Sequence, residues 1–333
     1  MNTWKYASCE VQGLGHIDND VPCQDKTLCF EHNGIHIISL SDGAGSARLS
    51  HLGAQCVVET ISELISENFD ELYYCTDGLR VKKHIVTEIN HAIDQRAHEM
   101  MCDSDELAAT LLFVAVSEDR FILGHIGDGV IGYMSGLDPK VAFPPSNGEF
   151  ANETVFVTSN NAINAFNLAR GELGDIIGFV VMSDGTENSF YHKPSGTLSK
   201  TIRKLISKAY LIEGEKMESQ LITTFENVIR QKTRDDCSIA ILSRDGIGTD
   251  YIANLDVVKQ RDYFKINRNY SLSRIKKAIE RNLLIMNSVA NKPKDLKTIV
   301  HENKLKLKTT RREVNKLQEN GLIIKREGKY SLN

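Results

Sequence analysis

Two apolar runs in this chain end in the same three residues. "HIISLSDGAGS" carries Ser41-Asp42-Gly43, and "GFVVMSDGTENS" carries Ser183-Asp184-Gly185. Three more aspartate elements adjoin aliphatic or β-branched runs: Asp25 in "PCQD", Asp128 in "GHIGDG", and Asp235 with Asp236 in "TRDDCS". Carboxylates gathered at one end of a sheet repel one another and resist burial, and cations relieve both penalties. Hard divalent ions such as Mg2+ or Mn2+ prefer oxygen ligands and keep several waters. Glycine after an aspartate removes the Cβ, so the backbone can come close and a carbonyl can serve as a ligand. The two Ser-Asp-Gly strand ends are therefore expected to form opposite walls of one metal site. A single Asp-Gly after a strand is a common turn. The order and spacing of the whole set are what point to metal chemistry.

Regular elements must carry these residues to one place. Residues 35–41 read as a buried strand. From Arg48 to Phe69 the pattern is helical, with Leu52, Cys56, Val57, Thr60, Ile61, Leu64 and Ile65 at three- and four-residue spacing. Residues 80–101 read as a second helix with Val81, Ile85, Ile89, Ala92 and Ile93 on one face. The runs "LAATLLFVAVS", "RFILGHIG", "GVIGYM", "ETVFVTS" and "DIIGFVVMS" read as strands in a meander. Helices follow at roughly 199–212 and 215–231, and "CSIAILS" supplies a last strand. The expected fold class is α+β: two antiparallel β-sheets packed as a sandwich with helices outside.

Composition narrows the class. Of the 333 residues 41% are hydrophobic and 25% charged, enough to bury a core. No apolar run approaches the ~18 residues of a membrane span. The start, "MNTWKYASCEVQG", lacks a basic-then-apolar pattern, so no signal peptide is expected. Cys9, Cys23, Cys29, Cys56, Cys75, Cys102 and Cys237 are scattered without a Cys-x-x-Cys pair. That argues against structural zinc or disulfides, and for reduced thiols in a cytoplasmic protein.

The net charge of −4 hides an asymmetry. Residues 264–333 hold 18 Lys+Arg and 6 Asp+Glu, against 22 and 38 in residues 1–263. The expected division is a body over 1–245, a linker over 246–270 and a basic domain over 271–333. In the last, helices are expected at 271–290, 293–301 and 308–319, with Gly321 as a C-cap and a hairpin turning at Glu327-Gly328. Three short helices and a hairpin resemble a winged helix-turn-helix. Thr309 or Thr310 is placed at a helix N-cap, Val314 and Leu317 face inward, and Lys308, Arg311, Arg312 and Lys316 line the exposed face. Hairpin residues Lys325, Arg326 and Lys329 could touch phosphates. Such a charge run also suits a plain solvated face, a protein-docking surface or contact with the acidic body.

The ordered blocks "GLGHIDNDVPCQDK", "SLSDGAGS", "ELAATLLFVAV", "LGHIGDGVIGYM", "FANETVFVTS", "GFVVMSDGTENS" and "RDDCSIAIL" resemble the metal-dependent protein phosphatase family, type 2C, in its bacterial form. The resemblance covers roughly residues 5–243. It implies two face-to-face antiparallel sheets with helices outside. It implies that Asp25, Asp42, the Gly43 carbonyl, Asp184 and Asp235 hold two Mn2+ or Mg2+ ions, with Asp42 bridging them. Asp236 stands where asparagine is frequent and is expected to orient the turn. Asp128 matches a ligand of a weaker third ion. That ion's other ligand falls at Asn188, with Glu187 one position off. Asp42-Gly43-Ala44 lacks the histidine that serves many members as general acid. No arginine precedes Asp25 to grip phosphate, and the resemblance gives His16 part of that role, with Arg48 a second candidate. The implied activity is hydrolysis of protein phosphoserine and phosphothreonine by a metal-bridged hydroxide, opposing a bacterial kinase. The alternative is a phosphatase-like regulatory module that binds a protein or DNA partner through the winged helix. No membrane partner is expected.

Overall fold

Alternation along the central strands sorts side chains between two cores. In the computed structural model, which describes residues 4–135, 138–146, 154–244, 252–253, 255–290 and 292–332, the chain forms two units, Met1–Arg244 and Asp245–Asn333. Residues 150–153 of "FANETVFVTS" and residues 246–251 and 254 of the expected linker lie outside the described residues. The strands of the first unit are β1 (Trp4–Val11), β2 (Asp25–His32), β3 (Ile35–Asp42), β4 (Leu111–Ser117), β5 (Arg120–Ile126), β6 (Val130–Ser135), β7 (Asp138–Phe143), β8 (Asn167–Glu172) and β9 (Ile176–Met182), then the two-residue β10 (Tyr191–His192) and β11 (Thr197–Leu198), and β12 (Cys237–Arg244). Two antiparallel sheets result, ordered β1-β12-β9-β6-β7 and β2-β3-β4-β5-β8.

Between the sheets lie Ile38, Leu40, Leu112, Val114, Phe179, Val181, Ala240 and Leu242. A single turn, α1 (Leu14–Asp18), precedes β2; the alternate residues Ile37, Leu111, Phe113 and Ala115 turn to the other face and pack on α2 (Ser50–Tyr74) and α3 (Gly78–Met100). Further helices are α4 (Ala162–Ala165), α5 (Asp184–Phe190), α6 (Thr201–Leu211) and α7 (Gly214–Thr224). The last two cover the β1-β12 sheet and bury Ile202, Ile206, Met217 and Leu221. The result is the expected helix-sheet-sheet-helix sandwich. All seven cysteines are free thiols, and among the described residues no helix is long and apolar enough to cross a membrane.

The expected meander is corrected in two places. β5 and β6, though joined by only residues 127–129, belong to different sheets, so Asp128 sits on a crossover with Gly127 at φ +120°. The strand expected over "ETVFVTS" is absent at residues 155–159. Val155 and Val157 are instead buried in an irregular segment, where Asn90 Nδ2 donates to the Val157 carbonyl at 3.1 Å. β1 and β7 edge one sheet and β2 and β8 the other, and the hydropathy pattern marked none of the four. Edge strands are half-exposed and lack a continuous apolar run. β8 is held by its register with β5 and by Arg170, whose Nη1 donates to the carbonyls of Leu72, Tyr73 and Cys75 at the end of α2.

The second unit carries α8 (Val257–Tyr263), α9 (Leu272–Ala290), α10 (Leu296–Glu302), α11 (Leu307–Glu319), and a hairpin of β13 (Ile323–Arg326) and β14 (Lys329–Leu332). The hairpin turns at Glu327 and Gly328, both at positive φ, and Gly321 follows α11 at φ +71°. α8 falls where a linker was expected. Its Asp256 cap accepts from the amides of Val258 and Lys259, and Tyr263 and Phe264 are buried. The N-cap expected at Thr309 or Thr310 is also corrected: α11 starts at Leu307 after Lys306, and buried Thr310 donates its hydroxyl back to the Lys306 carbonyl at 3.1 Å. A threonine can satisfy its hydroxyl within a helix as well as cap one, and burial decided between them. Val314 and Leu317 face inward as expected.

Phe113, fully buried on β4, anchors the core beneath α2 and α3. Phe113→Ala is expected to lower the unfolding free energy by about 3–5 kcal/mol, measurable by urea denaturation.

Candidate metal centre

β2 and β3 pair in a register that sets Asp25 opposite Asp42. Asp128 arrives from the crossover between sheets, and Asp184 from the end of β9. Carboxylate oxygens of Asp42, Asp128 and Asp184 all lie within 4.8 Å of one another. Asp25 is 1% exposed, and neither of its oxygens accepts a hydrogen bond; Asp184 Oδ1 is likewise buried without a partner. Thr154 Oγ1 donates to Asp128 Oδ2 at 2.5 Å.

Local backbone contacts explain how these acids are held. The Asp42 amide donates to Thr110 Oγ1, and the Asp42 carbonyl accepts from the Thr110 amide, each at 2.8 Å. Ser41 Oγ donates to the Thr110 carbonyl at 2.5 Å. Ser183 joins the ends of β9 and β12: its amide donates to the Ser238 carbonyl at 3.3 Å, and its Oγ accepts the Ser238 amide at 3.1 Å. Asp184 then opens α5, where the helix dipole favours negative charge. The two Ser-Asp-Gly glycines share a further reason for lacking a side chain. A Cβ on Gly43 would meet the Ser50 backbone at 2.8 Å, and one on Gly185 would collide with the Asp236 carbonyl oxygen.

Asp235 Oδ1 accepts the Asp236 amide at 2.9 Å. Asp236 reaches furthest along the chain. Its Oδ1 accepts from the Gly13 amide and its Oδ2 from the Gln24 amide, both at 2.6 Å, and His16 Nδ1 lies 2.9 Å from Oδ2. His16 thus joins the acidic cluster through Asp236. Arg48 turns outward, 69% exposed, with Nε 2.8 Å from Glu106 Oε2. At the expected third-ion position Glu187, not Asn188, is the buried acid: its Oε1 pairs with Lys193, and Oε2 is buried without a partner. Thr110 and Lys193 escaped the sequence reading, and Ser183 was marked there only as part of its Ser-Asp-Gly strand end. A lone threonine before a strand carries no spacing signal, and Lys193 reaches Glu187 from the turn between β10 and β11.

The electrostatics match this crowding. Burial, then the charges of Asp25 and Asp184, push the Asp42 carboxyl well above the ordinary carboxylate range. Burial, then Asp236, does the same to Asp25. Burial, with Asp128 and Asp235 beside it, raises Asp184 from 3.8 to about 7. Asp235 is raised as well, chiefly by burial. Unpartnered buried oxygens, mutual repulsion and an all-oxygen donor set fit hard divalent cations.

The two sheets of the helix-sheet-sheet-helix sandwich thus bring acids together at one end. The chain belongs to the protein phosphatase 2C family, whose family model matches residues 12–226. It is 24% identical over 167 residues to "Serine/threonine-protein phosphatase 3" of Escherichia coli (strain K12), a match spanning 49% of this chain and 66% of that relative, just under two thirds of its length. Among solved structures, a bacterial serine phosphatase is similar at 14% identity and TM-score 0.52, over 73% of this chain and 98% of that one. The catalytic domain of the serine threonine protein phosphatase PstP, in complex with two manganese ions, is similar at 15% identity and TM-score 0.50, over 73% and 99%. At these identities the structural likeness establishes the fold.

Two outcomes follow from the cluster. Asp184 retains a proton in the folded protein between 3.8 and about 7, where the unfolded chain has released it. Stability without cations therefore falls as pH rises through that window. Chelator-treated protein is expected to melt at lower temperature at pH 8 than at pH 5, with Mn2+ raising the midpoint more at pH 8. A pH-independent response to Mn2+ in differential scanning fluorimetry would contradict this. Asp236→Ala removes the carboxylate that accepts from the Gly13 and Gln24 amides and holds their loop. It is expected to cost about 10–100-fold in Mn2+ affinity, measured by isothermal titration.

Proposed function

We propose that the chain is a metal-dependent phosphatase acting on phosphoserine and phosphothreonine in proteins, opposing a bacterial protein kinase. The observation that carries this reading is the convergence of Asp42, Asp128 and Asp184, with Asp25 paired opposite Asp42 and buried oxygens of Asp25 and Asp184 that have no hydrogen-bond partner. In this reading Asp25, Asp42, the Gly43 carbonyl, Asp184 and Asp235 hold two Mn2+ or Mg2+ ions, and Asp128 serves a weaker third. Such ions polarise phosphoryl oxygens and make water a competent nucleophile near neutral pH. The chain's own residues then position the reaction. Asp42 joins the two sheets' contributions, and Thr110 fixes its backbone through two hydrogen bonds while accepting a third from the Ser41 hydroxyl. Asp236 holds the Gly13–Gln24 loop, with His16, against the site. With Ala44 following Gly43, the loop offers no side-chain acid, so the leaving oxygen takes its proton from solvent. A thiol nucleophile is disfavoured: burial, then Asp25 and Asp236, pushes Cys237 up to about 12.

The second unit is read as a winged-helix-like module. Three helices and a hairpin support this, as do the exposed Lys308, Arg311, Arg312 and Lys316 on α11 and Lys325, Arg326 and Lys329 on the hairpin. Its basic face suits DNA or an acidic protein. The free thiols suit a cytoplasmic location.

The test is hydrolysis of a phosphothreonine peptide with Mn2+, Mg2+ or chelator. Turnover is expected with either ion and none with chelator. Asp42→Ala and Asp184→Ala are each expected to reduce it to background with unchanged circular dichroism. Variants that match the wild type would sink the assignment.

A further inference from the structure

A separate cavity of about 390 Å3 lies within the second unit, between the turn at residues 264–270, α9 and α11. Its walls carry five basic side chains, Lys265, Arg274, Arg281, Arg312 and Lys316, against only Glu313 and Glu319. Glu313 is 4% exposed and serves two of the cations, with Oε1 2.7 Å from Arg312 Nη2 and 3.8 Å from Arg281 Nη2. Among the described residues Lys265 and Lys316 make no ion pair. Arg274 stacks on Tyr270, 3.8 Å from the ring centroid, which leaves its in-plane donors for another partner.

Two buried polar atoms on the same wall are also unsatisfied. Arg281 Nε and Asn282 Oδ1 make no hydrogen bond, and Asn282 is only 4% exposed. Buried polar groups without partners are rare in folded proteins and call for a specific cause. A bound ligand is one such cause. Cationic donors in excess recognise a phosphate through charge-assisted bonds. The Asn282 carboxamide and the aromatic residues Tyr270 and Phe264 offer contacts to the remainder of a small molecule. The volume falls within the ~300–1,000 Å3 of ligand pockets. A duplex backbone needs an open basic surface, whereas this site is concave with a buried amide.

We propose that this cavity binds a small phosphorylated molecule of about mononucleotide size. The inference is independent of the phosphatase reading. Isothermal titration of the full chain in chelator tests it, since the acidic centre then contributes no affinity for phosphate. The probes are AMP, GMP, ribose 5-phosphate, inorganic phosphate, unphosphorylated adenosine and guanosine, and a short DNA duplex. At least one phosphorylated small molecule is expected to bind, and neither nucleoside. Nucleotide and ribose 5-phosphate distinguish a base-reading site from one that reads sugar and phosphate. Arg274→Ala and Lys316→Ala are each expected to weaken binding about tenfold, with melting temperature and peptide hydrolysis unchanged. Silence with every phosphorylated small molecule overturns the proposal. So does binding that both variants retain, or binding of the duplex alone.

Discussion

Repulsion among buried carboxylates is the constraint on which the first unit depends. Asp25, Asp42 and Asp184 are each pushed upward by burial and then by neighbouring carboxylates. Folding alone would disperse such a set, because each charge costs free energy to desolvate and more to crowd. The sandwich keeps them together by bringing two sheets to a common end. β2 and β3 deliver one pair in register, β9 delivers Asp184, and the β5–β6 crossover delivers Asp128. An arrangement so unfavourable for bare side chains makes physical sense as a cation site.

The surrounding polar residues explain how the strain is contained. Thr110, Ser183 and Asp236 each bind backbone from a neighbouring strand or loop, so the acids ride on rigid main chain. Gly43 and Gly185 let that main chain come within contact of Ser50 and Asp236, where any side chain would wedge the elements apart. Affinity for cations and mechanical stiffness therefore share a structural origin. Residues that never touch a cation would still set the distance between those that do.

The basic second unit follows different physics. Its charge lies on exposed helix and hairpin faces and around a cavity with surplus donors, while Val314, Leu317 and Ile323 form a small core. Among its described residues no acidic cluster matches that of the first unit. The division of charge along the chain thus corresponds to a division of chemistry, with cations held by one unit and anions suited to the other.

The sequence alone determined the fold class, the paired Ser-Asp-Gly strand ends and the aspartates that meet there. Those features depend on local signals: apolar runs that both sheet faces bury, turn residues after them, and a charge imbalance visible by counting. Edge strands β7 and β8 were illegible because half-exposed strands lack an apolar pattern and are defined by their neighbours. Thr110 and Lys193 were illegible because Thr110 meets a partner 68 residues away and Lys193 reaches Glu187 from the turn of a two-strand hairpin. Only the tertiary structure could decide that His16 Nδ1 comes within 2.9 Å of Asp236, that Arg48 turns away to Glu106, and that Glu187 is buried while Asn188 is exposed. The physical reason is common to all three. A side chain's role depends on which distant charge it meets after the sheets pack, and sequence spacing does not encode that meeting.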